Sequence, residues 1–407
     1  MTTTQPSNDD MPSLLSRCAR LKESVVEFAR NKYRSEIQAK IATRSMSVAT
    51  LSEWDVAGSI DDVIHERNNA GRSLLDDFAE NASDLSDEDR AIVLGWRESL
   101  WGVFEVHGHE GAMLETTNLV DSLDYRVVGT AQDPKSLASL SRPGFLLTRI
   151  DQLGDMWMMS GMQSLLKPTD RQVAFGMAAR LAQEKPALFF RNPANLEKGR
   201  EASRVDHERY LAHFGAPWII DTPGEVERRC NEYLESRGDP SRSPRLRLPS
   251  DLHEADTVGA FSDPIEGLMF FPRAGSLMRA LEDPSALSDA QIRDVVLEYL
   301  ERPSSSPAVL RLLAQHRPVQ FDAMMAALLD RPEFAWERDG DALLRERNPS
   351  FLARVVLPYH LPMSEELLEG ARALHERDRQ VLPKRPTYPK QRDKRKQAKA
   401  ARRKNRR

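Results

Sequence analysis

WGVFEVHGHEGAMLETTNLVDSLDYRVVGT, residues 101–130, and GFLLTRIDQLGDMWMMSG, residues 144–161, decide the fold of this 407-residue chain. Short runs rich in Val, Phe, Tyr, Leu and Ile are separated there by Gly, Asp and Pro, which is typical of strands and turns. Leu123, Tyr125 and Val127 alternate with polar residues and would face one side of a sheet. Four or five such strands with few helices between them predict a small antiparallel β-barrel of the SH3 or OB kind near residues 101–166.

The residues before this segment are predicted to be helical. Apolar residues recur at three- and four-residue spacing over residues 11–44, which indicates one long amphipathic helix. A second helix is predicted at about 53–82, with Gly71 as the place for a break, and the two helices would form an antiparallel hairpin. A third helix begins at Ser86, whose hydroxyl caps the first turn while Asp89 completes a capping-box pattern.

Helices are predicted again after Lys167. Residues 170–184 and 195–214 are periodic and highly charged, and Thr222-Pro223-Gly224-Glu225 has the residue types that begin a helix. Residues 236–251 are rich in Pro, Ser and Arg and lack an apolar face, so they indicate a linker or long exposed loop.

Prolines punctuate the C-terminal half. A Leu-rich stretch ends before each of five prolines about 14 to 19 residues apart: Pro284, Pro303, Pro318, Pro332 and Pro349. Because the residue before a proline avoids the helical region, each proline limits a helix. We expect stacked short helices, either as a solenoid-like array or as an irregular bundle.

The predicted fold class is therefore α+β, and mainly α-helical. The predicted parts are a helical hairpin plus a third helix (1–100), the β-barrel (101–166), a helical segment (167–235), an Arg/Pro/Ser-rich linker (236–258), a C-terminal helical bundle or array (259–383) and a disordered basic tail (384–407).

The basic tail is the strongest functional signal. It holds thirteen Lys or Arg against one acid, Asp393, a formal charge of +12 in a chain whose total is −4, so the other 383 residues hold −16. A basic run of this density attracts polyanions. Because Tyr388 alone offers a stacking face, base-specific reading is not predicted. The predicted phosphate contacts are Lys394, Arg395, Lys396, Lys399, Arg402, Arg403, Lys404, Arg406 and Arg407.

Other roles for the tail remain open. It could only solubilise the chain, or serve as a two-cluster import signal through Lys384-Arg385 and residues 394–396. It could also fold back on the acidic remainder until a stronger polyanion competes. Arg237, Arg242, Arg245 and Arg247 form a second basic cluster that could assist it.

Catalytic and metal motifs are missing from the sequence. No GxxxxGK[ST], GxGxxG or GxSxG pattern and no metal-ligand Asp-x-Asp constellation occurs. His107 and His109 are expected near a turn at 108–111, and metal binding by this pair is the less favoured alternative. His207 and His213 are six residues apart, which separates their rings on a helix. The carboxylates of DLSDEDR (84–90) and SIDDVIHER (59–67) are predicted on solvated faces or helix N-termini, and the methionines at 156–162 in the core.

Composition indicates a cytoplasmic chain. The only cysteines, Cys18 and Cys230, are too far apart in sequence to indicate a disulfide framework or a zinc site. The first ten residues, MTTTQPSNDD, lack the features of a signal peptide, and no run of about 18 apolar residues occurs. We expect no membrane association and no cofactor.

Two stretches resemble a family. The strand region with GVFEV, NLVDSLDYRVVGT and RPGFLLTRIDQLGDMWMMSG, and DPIEGLMFFPRAGSLMRALEDP at 263–284, are similar to uncharacterised bacterial proteins that often carry a SEC-C zinc motif. The resemblance covers about a quarter of the chain and rests on apolar and turn residues. The clustered cysteines of the zinc motif are missing, so the resemblance does not imply zinc binding.

The sequence therefore predicts a non-enzymatic nucleic-acid-binding protein that uses its basic tail, with RNA or the ribosome favoured over nonspecific DNA binding. The rival interpretation is a protein-interaction scaffold with the tail as an accessory. An enzyme is the least favoured alternative, because a site assembled from distant residues leaves no local motif.

Overall fold

The computed structural model describes residues 11–44, 53–66, 71–110, 113–129, 143–236, 245–302 and 306–381. They fall into two compact units. Unit 1 comprises the chain up to Leu119, Asp124–Arg180 and the chain from Met363, and unit 2 comprises Val120–Leu123 and Leu181–Pro362. The architecture mixes helices and strands and is mainly helical. The basic tail, including every predicted phosphate contact from Lys394 to Arg407, lies outside the described residues.

The elements up to residue 184 are α1 (Met11–Lys32), α2 (Arg34–Arg44), α3 (Glu53–His65), α4 (Leu74–Asn81), α5 (Asp87–Gly95), β1 (Ser99–Glu110), β2 (Met113–Asn118), β3 (Asp124–Val128), β4 (Gly144–Leu153), β5 (Met156–Leu166) and α6 (Arg171–Glu184). A short 3₁₀ turn, Pro168–Asp170, precedes α6.

The N-terminal helices follow the predicted pattern with one correction. The single helix predicted over 11–44 is two helices, α1 and α2, that meet at Tyr33, whose hydroxyl donates to Asp77 of α4. The second predicted helix breaks where expected, since Gly71 has a left-handed φ of 75° between α3 and α4. Ser86 caps α5 by accepting from the Asp89 N–H, as predicted.

Five strands form a sheet that closes on itself in the order β1-β2-β3-β5-β4, because β1 pairs with both β2 and β4. The prediction that all pairings are antiparallel is wrong, since β3 and β5 pair in parallel. The reason is one of parity. Strand direction alternates around an antiparallel ring, so a ring of five strands must contain at least one parallel pair.

The helices α1, α3, α4 and α5 cover this closed sheet on one side. Contacts join α1 to α3, α4 and α5, α3 to β5, and α5 to β4. The α1 stripe from Leu15 through Cys18 and Val25 to Ala29 is buried in the same core as Trp96, which follows α5. The apolar residues whose spacing predicts α1 thus form the face by which this helix packs.

The remaining elements are α7 (Pro186–Phe189), α8 (Pro193–Phe214), β6 (Trp218–Asp221), α9 (Pro223–Ser236), α10 (Ser250–His253), β7 (Val258–Asp263), β8 (Gly267–Pro272), α11 (Ala274–Glu282), α12 (Ala290–Glu301), α13 (Ser306–His316), α14 (Pro318–Leu329), α15 (Trp336–Arg347), α16 (Pro349–Ala353) and α17 (Glu365–Val381). A 3₁₀ turn, Pro284–Ser288, joins α11 to α12.

Unit 2 contains an antiparallel sheet, β6-β7-β8, that the sequence analysis missed. The sequence predicts helices for residues 167–235 and 259–383, and the three strands fall inside these segments or at their margin. β7 is buried at five of its six positions and so shows no alternation of polar and apolar residues. A short strand without alternation carries little signal of its own.

The C-terminal helices are punctuated by proline as predicted. One helix ends at His316, before Pro318, and another at Arg347, before Pro349; these two prolines in turn open α14 and α16. α11 contacts α14 and α12 contacts α15, in addition to contacts between neighbours, around one apolar core. Contacts between helices that are three elements apart favour the irregular bundle over the linear array.

Candidate functional site

An ionic cluster lies in unit 1 between the helices and the closed sheet. α1, α3 and β4 supply its charged side chains: Lys22, Asp61, Asp62, His65, Arg149 and Asp151. Asp151 is fully buried, and Arg149 and Asp61 are 6% and 8% exposed. Charged side chains are seldom buried to this degree unless they are paired.

Helical and strand periodicity bring these residues together. Asp61 and His65 lie one turn apart on α3, so they share a face. Arg149 and Asp151 are two apart on β4 and lie on one side of the strand, while Ile150 is buried on the other side. β4 is therefore covered on both faces, which takes the two charged residues out of solvent.

Arg149 connects β4 to α3. Its Nε donates to Asp61 Oδ2 at 2.5 Å and its Nη2 to Asp62 Oδ1 at 3.3 Å. Its Nη1 donates to the Ser99 hydroxyl at 2.9 Å. The planar guanidinium thus uses its fork of donors to join the strand to the helix.

Lys22 connects α1 to the same strand. Its Nζ lies 2.6 Å from Asp151 Oδ2 and donates to His65 Nε2 at 3.3 Å. The ammonium also stands 4.7 Å from the centre of the Trp96 ring, a cation–π arrangement. Only 19% of its side chain is exposed.

The environment alters the protonation of two groups. Burial raises the pKa of Asp151, and the charge of Lys22 opposes that rise. Burial, with the positive charges of Lys22 and Arg149, holds the pKa of His65 well below its usual value, so the ring is neutral at pH 7. Because an ammonium can only donate, His65 Nε2 accepts from Lys22 and the ring proton is assigned to Nδ1.

A cavity of about 650 Å³ adjoins the cluster. One face of α1, from Leu15 to Asn31, forms one wall, and residues of α3 and β5 form the other. Lys22, Asp61 and Ser160 bring polar atoms to a lining that is otherwise largely apolar at its inner side. The volume is that of a typical small-molecule pocket.

The described cluster lacks an activated nucleophile. Burial raises the pKa of Cys18, which lines the cavity, to about 11, so its thiol stays protonated at neutral pH. In unit 2, His207 Nδ1 lies 3.0 Å from the Ser262 hydroxyl, but Ser262 is 4% exposed and is not presented to a substrate.

Metal sites are also missing from the described part of the chain, where no group of three His, Cys, Asp or Glu side chains could hold an ion. His107 and His109 lie in β1, which runs through Glu110, so the turn predicted at 108–111 is wrong. A β-bulge between Val106 and Gly108 shifts the register there. His213 packs on the rings of Phe214 and Tyr233, away from the partner of His207.

The predicted basic cluster in the linker is only partly described. Arg237 and Arg242 lie outside the described residues, whereas Arg245 and Arg247 are exposed. Arg245 lies 3.7 Å from Glu235, a weak surface pairing.

Among the described residues, no helix has the length and hydropathy needed to cross a bilayer.

Sequence reasoning missed the ionic cluster. SIDDVIHER was predicted to be solvated, and this is wrong for Asp61, which is buried. DLSDEDR does form the N-terminus of α5 as predicted, and Met156, Met158 and Met159 are core residues. One signal was available, because Lys22 follows Leu15 and Cys18 on the apolar stripe of α1.

Comparisons with protein-family models, with curated proteins and with solved structures give no match.

Proposed function

We propose that this chain is a nucleic-acid-binding protein, with RNA or the ribosome favoured, that contacts phosphates through the tail of residues 384–407. The observation that carries the proposal is the separation of charge, +12 in the tail against −16 in the other 383 residues. A polyanion is attracted to the tail and repelled by the acidic remainder. Contact is therefore assigned to the nine residues Lys394, Arg395, Lys396, Lys399, Arg402, Arg403, Lys404, Arg406 and Arg407.

We further propose that the closed five-stranded sheet is a small barrel of the OB kind, whose strand number it has. OB barrels bind oligonucleotides on the face of their second and third strands by stacking bases on aromatic rings. Here the exposed positions of that face are Glu115, Asp124 and Arg126. Tyr125 is buried. The surface carries two acids and no aromatic ring at these positions, which supports assigning nucleic-acid contact to the tail.

Binding of the full chain to a single-stranded RNA and to a DNA duplex of equal length, at several salt concentrations, tests the proposal. If about six tail charges meet phosphates, the slope of log affinity against log salt is about −4 for the single strand and about −5 for the duplex. Deleting residues 384–407 should abolish binding. A full-length control with the tail residues in scrambled order should retain it, because charge density and not sequence carries the affinity.

Unchanged affinity after deletion of the tail would refute the proposal. Loss of affinity in the scrambled control as well would refute the purely electrostatic mechanism and would indicate a specific recognition sequence within the tail.

A protein-interaction scaffold is the second candidate, and one observation favours it. Ile265, Val355, Val356 and Tyr359 are large apolar residues of unit 2 that are between 39% and 79% exposed. The Tyr359 N–H donates to the Ile265 carbonyl, so two of them are neighbours. Exposed apolar surface of this kind is typical of protein interfaces. Stoichiometric capture of one protein by the tail-less chain, lost in Val355→Asp, would support the scaffold.

A further inference from the structure

We propose that the cavity of unit 1 is a binding site for a small organic cation, an ammonium group carried on an apolar chain. Its size, its shape and the polar atoms at its inner side support this assignment.

The cavity has the dimensions of a binding site for a chain-like molecule. Its volume is about 650 Å³. Its α1 wall runs from Leu15 to Asn31, which at 1.5 Å per residue is about 24 Å. Val26, Ile60 and Met159 line it with apolar surface. A groove of this length and character buries the methylene groups of an extended ligand.

Asp61 supplies the polar anchor. Its Oδ2 is occupied by Arg149, at 2.5 Å. Its Oδ1 lies 3.6 Å from His65 Nε2, beyond hydrogen-bond distance, and Nε2 carries a lone pair because it accepts from Lys22. The ring therefore cannot donate to Oδ1, and the Asp61 carboxylate, which lines the cavity, offers this oxygen as an acceptor.

Gly161 leaves space beside that oxygen. A Cβ at residue 161 would lie 3.0 Å from Asp61 Oδ1. Ser160, 2% exposed, brings a hydroxyl to the same wall. A carboxylate oxygen and a hydroxyl on one wall are suited to accept from the N–H groups of an ammonium.

The charges around the cavity favour a cation over an anion. Three carboxylates line it, those of Glu23, Glu27 and Asp61, against two cations, Lys22 and Arg30. Lys22 is held by Asp151 at 2.6 Å, so its charge is already matched inside the cluster. A carboxylate ligand would bring a second negative charge beside the largely buried Asp61, which is costly in a site of low polarity.

Calorimetric titration of the full chain with n-octylammonium, n-octanoate and 1-octanol tests the proposal, because the three probes share a chain and differ in charge. Octylammonium should bind the wild-type protein at least about tenfold more tightly than either other probe. Because octanoate can also associate with the basic tail, only binding that Ala19→Phe removes counts as binding in the cavity.

Two pairs of variants locate the site. Ala19 lines the cavity, so Ala19→Phe fills it, whereas Ser16→Phe places the same ring on the exposed face of α1 as a control. Asp61→Asn should weaken octylammonium binding about tenfold or more, the expected effect of losing a charge-assisted hydrogen bond. Asp62→Asn should leave it unchanged, because Asp62 also pairs with Arg149 but does not line the cavity.

Thermal unfolding followed by circular dichroism establishes that each variant is folded. The proposal is overturned if octylammonium fails to bind, if octanoate or octanol binds the cavity equally well, or if Ala19→Phe and Ser16→Phe bind alike. Equal losses in Asp61→Asn and Asp62→Asn would overturn the assignment of Asp61 as the anchor.

Discussion

Replacing Lys22 by methionine tests whether the ionic cluster carries the stability of unit 1. The change keeps an unbranched side chain, one atom shorter, but removes the ammonium 2.6 Å from Asp151, which is fully buried. At an effective dielectric constant of 20, unit charges at that distance attract by about 6 kcal/mol before desolvation is counted. Breaking a buried pair by removing one partner costs about 3–5 kcal/mol, and we expect a loss of this size near pH 7.5.

The stability lost in Lys22→Met should depend on pH, and the direction of this dependence follows from the protonation of Asp151. Burial raises the pKa of Asp151 in the folded chain above its unfolded value, so stability from this group is highest below the unfolded pKa and falls as the pH rises toward the folded pKa. Lys22 opposes that rise. Without Lys22 the folded pKa of Asp151 moves higher, and the cost of Lys22→Met should grow as the pH rises from the wild-type folded pKa toward that of the variant, by up to about 1.4 kcal/mol per pH unit.

Hydrogen exchange of the full chain, read by mass spectrometry at peptides from α1 and β4, measures the opening free energy of unit 1 alone. Lys32→Met is the matched control. Lys32 lies on the same helix and 2.7 Å from Asp77, but its side chain is 48% exposed, so its loss should cost less than about 1 kcal/mol. Equal costs for the two variants, or a cost for Lys22→Met that does not change with pH, would refute the reasoning.

Two further predictions concern the residues around the cluster. Gly161→Ala should destabilise unit 1 by about 1 kcal/mol more than Gly154→Ala. Both glycines have a left-handed φ, 65° at Gly161 and 63° at Gly154. A Cβ at residue 161 would lie 3.0 Å from the Asp61 carboxylate, whereas a Cβ at residue 154 would meet nothing within 4 Å. Urea unfolding curves measure the two losses of stability, and equal losses would contradict crowding at residue 161. Cys18 and Cys230 should resist iodoacetamide at pH 8 until the chain unfolds, because burial raises the pKa of their thiols to about 11 and about 12. Mass spectrometry counts the labels. Rapid labelling of either cysteine in the native chain would show that this cysteine is not buried.

Local patterns predicted several elements correctly because their causes are local. The Leu15-to-Ala29 stripe indicates α1, the Ser86 and Asp89 pair indicates the start of α5, and Pro318 indicates the end of α13. In each case the spacing of a few neighbouring residues determines which backbone groups are capped or which face is buried.

The ionic cluster could not be predicted in the same way. Lys22, Asp61 and Asp151 belong to α1, α3 and β4, which are far apart in the chain and meet only because the helices cover the closed sheet. Charged residues in amphipathic segments usually face water, so the composition of SIDDVIHER predicts solvation. Asp61 is nevertheless buried, because it pairs with Arg149 of β4, a strand that is covered on both faces.

The sequence by itself determined where α1, α3 and α5 begin, where proline interrupts the C-terminal helices, and how charge divides between the tail and the remaining residues, because these depend on short-range spacing and on composition. The tertiary structure alone decided that β3 and β5 pair in parallel, that Lys22 holds Asp151, and that a cavity adjoins Asp61. Closing a ring of strands and covering it with helices brings distant residues together, and the low polarity of that interior then sets their protonation.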